Sequence, residues 1–157
     1  MVYSVAYHFF RDRALAEDLA QEVFLRLHRV AADLESPAHA RFWLRKAVSR
    51  LCIDESRRRK FRPRLGLSEV PEPRAEPERG DLLLSATLRN LISALPKGAR
   101  LVMILRYQED LEPGDIAEIL SIPVSTVKSH IYRSLAVLRA KLNRINQKVG
   151  HESRLGI

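Results

Sequence analysis

Apolar residues recur at three- and four-residue steps over most of the chain, which is the period of amphipathic helices. In the first part of the chain this pattern predicts a short helix around residues 2–10 and longer helices from about 15 to 30 and from about 40 to 60. Further along it predicts helices over 82–95, 99–107 and 115–120, and one that begins at Val124. With only 6 glycines, the chain has little of the turn chemistry of an all-β fold. The sequence therefore predicts an all-α protein.

The helical pattern stops between residues 63 and 81. Prolines alternate there with glutamates, and there is neither a period nor enough apolar mass to fold alone. We interpret this segment as an acidic, proline-stiffened linker. It separates an N-terminal helical domain (1–62) from a C-terminal four-helix domain (82–145), which a tail (146–157) follows. The two domains are basic, so two cationic blocks flank an acidic tether.

The segment from residue 115 to 142 is typical of a helix-turn-helix. Ile116, Ile119 and Leu120 give the first helix one buried stripe, and Pro123 then interrupts it. The second helix has an apolar seam formed by Val127, Ile131, Leu135, Leu138 and Leu142. Its first turns place polar and cationic side chains at other azimuths: Ser125, Thr126, Lys128, Ser129, Tyr132 and Arg133. A recognition helix offers such positions to a DNA groove, whereas the simpler alternative is a solvated face on an ordinary helical hairpin.

Composition narrows the possible partners and sites. The formal net charge of +8 favours polyanions and supports nucleic acid. Cys52 is the only cysteine, so an internal disulfide is excluded, and the 5 histidines lack a metal-ligand spacing. We expect no metal and no cofactor. No apolar run approaches the roughly 20 residues of a membrane span and no secretory segment is evident, so we expect no membrane insertion and a cytoplasmic location.

The helix predicted over 15–30 has a mixed face opposite its apolar stripe. Leu15, Leu19, Val23, Leu27 and Val30 form the stripe that faces the core. Two large apolar residues lie outside it, amid acids and amides: Asp18, Gln21, Glu22, Phe24 and Leu25. Such a patch is typical of a protein-binding face. The alternative is that another helix of the same chain covers Phe24 and Leu25.

The helix predicted over 40–60 is amphipathic and basic. One arc is apolar and includes Cys52, while the other holds Arg45, Lys46, Ser49, Arg50, Arg57 and Lys60. The cations can follow a phosphate backbone, and Phe42 and Trp43 could stack on unpaired bases. For Trp43 a place in the core is favoured, because it borders the apolar arc. The four-residue spacings predict that Asp54 pairs with Arg50 and Arg58.

Three sets of motifs resemble one family over nearly the whole chain. The first is the run from Ala16 to Leu27. The second joins Phe42–Ala47 to Asp54–Arg59. The third runs from Leu95 to Tyr107 and continues in Asp115–Ala117, Ser125–Ser129 and Arg133. In this order, with an acidic linker between, they resemble the extracytoplasmic-function (ECF) sigma factors, the small two-domain members of the sigma-70 family.

The resemblance implies a role in transcription initiation and assigns the candidate residues to three surfaces. Contact with core RNA polymerase would come from Asp18, Gln21, Glu22, Phe24 and Leu25. The minus-ten promoter element would be melted and read by Phe42, Trp43, Arg45, Lys46, Arg50, Arg57 and Lys60. The minus-thirty-five element would be read by Ser125, Thr126, Lys128, Ser129 and Arg133. Core RNA polymerase and promoter DNA are then the expected partners, with an anti-sigma factor as a further one, and the chain itself would not be an enzyme.

Two other functions stay open at this point. A free-standing dimeric helix-turn-helix regulator would explain the C-terminal domain and the charge, but it leaves the Phe24/Leu25 face and the basic helix without a role. A nuclease could use Asp12, Glu17, Asp18 and Asp54 as magnesium ligands, although these acids form no convincing cluster.

Overall fold

The computed structural model describes residues 1–61 and 82–155, and within these ranges every regular element is helical. The N-terminal module contains α1 (Val2–Phe10), α2 (Arg13–Val30), a single 3-10 turn (Ala31–Asp33) and α3 (Pro37–Phe61). The C-terminal module contains α4 (Leu82–Ser93), α5 (Lys97–Tyr107), α6 (Pro113–Leu120) and α7 (Val124–Leu155). The all-α fold predicted from the apolar period is therefore confirmed. The predicted linker, residues 63–81, lies outside the described residues, and the domain boundaries stay predictions.

Local capping sets the helix starts of the N-terminal module. Arg11 ends α1 in the left-handed conformation, with φ 58°, and its N–H bonds to the carbonyl of Tyr7. Asp12 then caps α2 by accepting a 2.9 Å hydrogen bond from the backbone N–H of Leu15. Ser36 does the same for α3, because its hydroxyl accepts from the N–H of His39 at 3.1 Å. Both helices consequently begin two or three residues earlier than the apolar pattern predicts.

The core of the N-terminal module lies where α1 packs between α2 and α3. Val5, Phe9, Val23 and Val48 are almost completely buried, one or two from each helix. The predicted stripe of α2 is buried at Leu19 and Val23 and becomes half-buried towards its C-terminal end. The sequence-based assignment of this stripe to the core is thus confirmed at Leu19 and Val23.

The helix-turn-helix is formed by α6 and α7. Pro113 occupies the first turn of α6, where its missing N–H costs nothing. Ser121 ends the helix in the left-handed conformation, with φ 54°, and its N–H bonds to the carbonyls of Ala117 and Glu118. Ile116 on α6 and Val127 on α7 are fully buried and join the two helices. Helix α7 continues beyond residue 145 into the predicted tail.

The two modules pack against each other in one continuous core. Contacts join α1 to α4 and α5, and α3 to α5 and α6. Polar bonds reinforce them: Lys97 Nζ donates to the carbonyl of Ser56 at 2.6 Å, and Arg100 Nη1 donates to the carbonyl of Phe9 at 2.8 Å. The guanidinium of Arg100 also lies over the Phe9 ring. The question of module packing, which the sequence leaves open, is answered by these contacts.

Candidate promoter and polymerase interfaces

The polar face of α7 is free of the core along its first three turns. Val127, Ser134 and Leu138 turn inward and are buried, while Ile131 is half-buried between them. On the opposite side Ser125, Lys128, Ser129 and Arg133 are exposed, and Thr126 is half-buried. Neither Lys128 nor Arg133 forms an ion pair with a carboxylate of the described residues. These cations are therefore available for phosphates or base edges.

Tyr132 is the residue on this face to which sequence reasoning assigns no contact. Its side chain is 78% exposed, the largest value among the exposed apolar and aromatic residues. It follows Ser125 by seven residues and Ser129 by three, so it shares their azimuth. The same spacing places Tyr132 on this face in the sequence, and it is the signal that would have added Tyr132 to the predicted contacts.

The aromatic residues at the start of α3 combine core and surface roles. Phe42 and Trp43 are half-buried and pack against the core, which supports the core assignment of Trp43. Lys46 Nζ lies 5.7 Å from the centroid of the Phe42 ring. Part of each ring remains accessible beside a cation, as an arrangement for stacking on unpaired bases requires.

The predicted cationic arc of α3 is exposed in part and buried in part. Arg50, Arg57 and Lys60 are exposed, as expected. Arg45 instead pairs with Glu109 at 3.3 Å, and the side chains of this pair are only 22% and 8% exposed. Ser49, predicted to lie among the cations at the surface, is 1% exposed, and its hydroxyl has no hydrogen-bond partner among the described residues. The position of Ser49 is a correction, and its cause is the packing of other helices on this side of α3.

Asp54 also has a different partner from the one its spacing predicts. Its carboxylate lies 3.9 Å from Arg57 Nη1, three residues away, rather than pairing with Arg50 or Arg58. Both side chains of this pair are more than half exposed, so it contributes little to stability. Arg57 consequently keeps the freedom that a phosphate contact needs.

A polar cleft separates α3 from the end of α6. It has a volume of about 420 Å³, and the α3 side chains that line it include Arg50, Asp54 and Arg57. Ile119, Leu120 and Ser121 line the opposite wall. A nucleic-acid strand that followed α3 from Arg45 to Arg57 would meet α6 in this packed arrangement.

The outer face of α2 exposes two large apolar side chains. Phe24 and Leu25 are each 53% exposed, and no helix of the described chain covers them. Asp18, Gln21 and Glu22 are exposed around them, and Glu22 is held by Arg26 at 2.7 Å. The alternative that another helix of the described chain covers Phe24 and Leu25 is therefore wrong. An apolar centre with a polar rim is typical of a protein contact.

Cys52 is fully buried, as predicted for a core residue, and this burial raises the pKa of its thiol to about 12. Among the residues whose side chains the structure describes, His, Cys, Asp and Glu form no group that could hold a metal ion. None of the described helices is long and apolar enough to cross a membrane.

Comparison with protein families identifies both modules. Residues 1–62 match the model of sigma-70 region 2, and residues 85–138 match that of sigma-70 region 4. The chain is 32% identical over 154 residues to the ECF RNA polymerase sigma factor SigW of Bacillus subtilis, with 90% of this chain and 82% of SigW covered. It is 30% identical over 149 residues to the probable RNA polymerase sigma factor RfaY of Xanthomonas campestris, with 90% of this chain covered but only 37% of that longer relative.

A solved structure has the same fold. The sigma factor RpoE of Bartonella quintana, crystallised with the anti-sigma factor NepR, matches with a TM-score of 0.75 over 90% of this chain and 89% of RpoE, at 19% identity. Two region models in order and relatives aligned across both modules agree with the motifs in the sequence. The chain belongs to the ECF RNA polymerase sigma factors of the sigma-70 family.

Proposed function

We propose that this sigma factor, which directs core RNA polymerase to promoters, does so through three surfaces on α2, α3 and α7. The observation that carries the proposal is the α7 face. Two cations that pair with no described carboxylate and three hydroxyl side chains lie there, opposite a buried apolar seam. The minus-thirty-five element is its proposed target, read in the major groove.

On α7 the proposed contacts divide by chemistry. Lys128 and Arg133 neutralise phosphates or bond guanine edges, and Ser125, Thr126 and Ser129 lie close to the bases. Tyr132 adds an exposed ring and hydroxyl on the same face. The first backbone N–H groups of α7 also favour a phosphate, since they lie at a helix N-terminus.

On α3 the proposed target is the opened minus-ten element. Arg50, Arg57 and Lys60 follow the backbone, and Phe42 and Trp43 stack on unpaired bases. Arg45 and Lys46 complete the set. Arg45 becomes available only when it leaves Glu109, so a phosphate contact at Arg45 requires this ion pair to break.

On α2 the Phe24/Leu25 face is the proposed docking site for core polymerase, with Asp18, Gln21 and Glu22 as its rim. Bond formation belongs to the polymerase, so this chain is not itself an enzyme, and its place of action is the cytoplasm. An anti-sigma factor is a further proposed partner, because the structurally similar RpoE was crystallised with one.

Co-elution with core polymerase tests the docking face. The full chain is expected to elute with core polymerase from a related bacterium in gel filtration, and the double substitution Phe24→Ser with Leu25→Asp is expected to abolish this. Burial of two large apolar side chains is worth roughly 1.5–3 kcal/mol each, so their loss should release the complex.

Val137→Asp is the matched control, because Val137 is also a surface apolar residue, 43% exposed, but lies on α7. It should co-elute like the parent chain. Equal loss in both variants, or co-elution that survives the double substitution, would contradict the assignment of the docking face.

A further inference from the structure

An apolar cavity of about 490 Å³ lies where the two modules meet. Helix α1 forms one side, and α4, α5 and α7 form the other. Its apolar walls are Leu88, Ile92, Met103, Ile104, Leu135 and Leu138. The volume falls within the range of roughly 300–1,000 Å³ that is typical of small-molecule sites. None of the lining residues belongs to the three surfaces proposed for polymerase and DNA.

Two arginines and one histidine, drawn from both modules, converge on this cavity. Arg11 and His8 come from the end of α1, and Arg89 comes from α4. Arg11 stacks on the Tyr7 ring at 5.2 Å, and no described carboxylate forms an ion pair with Arg11 or Arg89. Arg59, by contrast, lies within 3.3 Å of both Asp12 and Glu55.

The pKa of His8 is affected by the positive charges of the same two arginines. Burial lowers the pKa of His8, and the positive charges of Arg11 and then Arg89 lower it further. The imidazole is consequently neutral at pH 7 and retains one N–H donor. A carboxylate placed between the two guanidinium groups would have both charge partners and this donor within one site.

The cavity remains open at its edge. Leu88 and Tyr107 line it and are 38% and 58% exposed, although both are large apolar or aromatic side chains. An apolar space bounded by two arginines that pair with no described carboxylate is complementary to a molecule with an apolar body and one anionic end.

We propose that this cavity binds a small amphiphilic carboxylate. The apolar chain would lie against Met103, Leu135 and Leu138, and the carboxylate would bond Arg11 and Arg89. The ligand would contact α1 together with α4, α5 and α7, and would therefore hold the two modules in the packed arrangement. That it would oppose promoter binding rests on the proposed function, whereas the binding itself does not.

Isothermal titration of the full chain with sodium decanoate, below its micelle-forming concentration, tests the site. One equivalent is expected to bind, and the double substitution Arg11→Gln with Arg89→Gln is expected to weaken binding by about tenfold or more, since charge-assisted hydrogen bonds are lost. Leu88→Asp should weaken it as well, because it places a negative charge at the opening. Arg139→Gln, an exposed position elsewhere on α7, is the control and should bind like the parent chain.

Thermal unfolding of each variant without decanoate verifies that the fold is retained. Decanol and decyltrimethylammonium supply the same chain with a neutral and a cationic end, and both should bind more weakly than decanoate. The proposal is overturned by absence of binding, by equal binding of decanol, or by binding that ignores both arginine substitutions.

Discussion

The burial of Cys52 can be tested by the chemical reactivity of its thiol. Its thiol is fully buried on the apolar arc of α3, and burial raises its pKa to about 12 from 9.0. The thiolate is the reactive form, so the native protein should resist alkylation by iodoacetamide at pH 8, whereas the chain unfolded in guanidinium should react fully. Because the sequence has 1 cysteine, mass spectrometry of the product measures this site alone.

The same raised pKa fixes the direction of a pH effect. The pKa of the thiol is 9.0 in the unfolded chain and about 12 in the folded chain. At a pH between these two values, the unfolded chain has lost the thiol proton and the folded chain retains it. Stability contributed by Cys52 is therefore present at neutral pH and is lost as the pH rises above 9.0. Rapid alkylation of the native protein at pH 8 would show that this part of α3 opens and would contradict the assignment to a rigid core.

The burial of Ser49 could not be predicted from its position in the helical period of α3. The period of α3 places Cys52 on the apolar arc and Ser49 among the cations, and only the first placement is confirmed. The difference arises because the period describes one helix and its nearest neighbours in sequence. Helices α5 and α6, which contact α3, lie far from it in the sequence, and no spacing within α3 predicts those contacts.

At the scale of the element, the apolar period predicts the order and type of the described helices but shifts their ends. Helix α3 begins at Pro37, three residues before its predicted start, because Ser36 and Pro37 supply a cap and a favoured first residue. Those signals are present in the sequence and would have corrected the boundary. Helix α7, by contrast, ends at Leu155, beyond the predicted domain end at residue 145, and no capping residue within the predicted domain predicts this end.

The proposed recognition face of α7 can be tested at Lys128. Lys128→Ala in holoenzyme is expected to weaken promoter binding by about 1–3 kcal/mol if Lys128 bonds a base, and the loss should then differ between promoters with different minus-thirty-five sequences. If Lys128 bonds a phosphate, the loss should be uniform across sequences and the dependence on salt should become shallower by about one counterion. Band-shift titrations at several salt concentrations separate the two cases.

Lys141→Ala provides the control, since Lys141 is an exposed lysine further along the same helix. It should leave promoter binding unchanged. A loss as large as that of Lys128→Ala would mean that affinity follows the net charge of α7 rather than its first turns, and the proposed face would be wrong.

At the scale of the whole molecule, the packing of the modules could not be predicted from the sequence. The polar bonds that join them link residues 41 to 91 positions apart, including Lys97 with Ser56 and Arg100 with Phe9. Burial lowers the pKa of Arg100, yet backbone carbonyls and the Phe9 ring surround its guanidinium and support its charge. An apolar stripe shows that a helix has a partner, but it does not show which one.

Glu109 connects this packing to the proposed promoter contacts. The Glu109 carboxylate forms a largely buried ion pair with Arg45. A phosphate that binds Arg45 would have to displace this carboxylate. Glu109→Gln removes the competing charge and leaves Arg45 without its partner, which weakens the packed arrangement. The free chain is then expected to bind a single-stranded minus-ten oligonucleotide several-fold more tightly in a fluorescence anisotropy titration, since a cation is released for its backbone.

Two further variants decide whether this gain has the stated cause. Glu118→Gln changes the net charge equally at an exposed position on α6, so it should produce a smaller gain or none. Arg45→Gln added to Glu109→Gln should remove the gain, because the released cation is then absent. Equal gains from both glutamate variants would assign the effect to long-range charge alone, and the pairing of Arg45 with Glu109 would have no part in controlling access to α3.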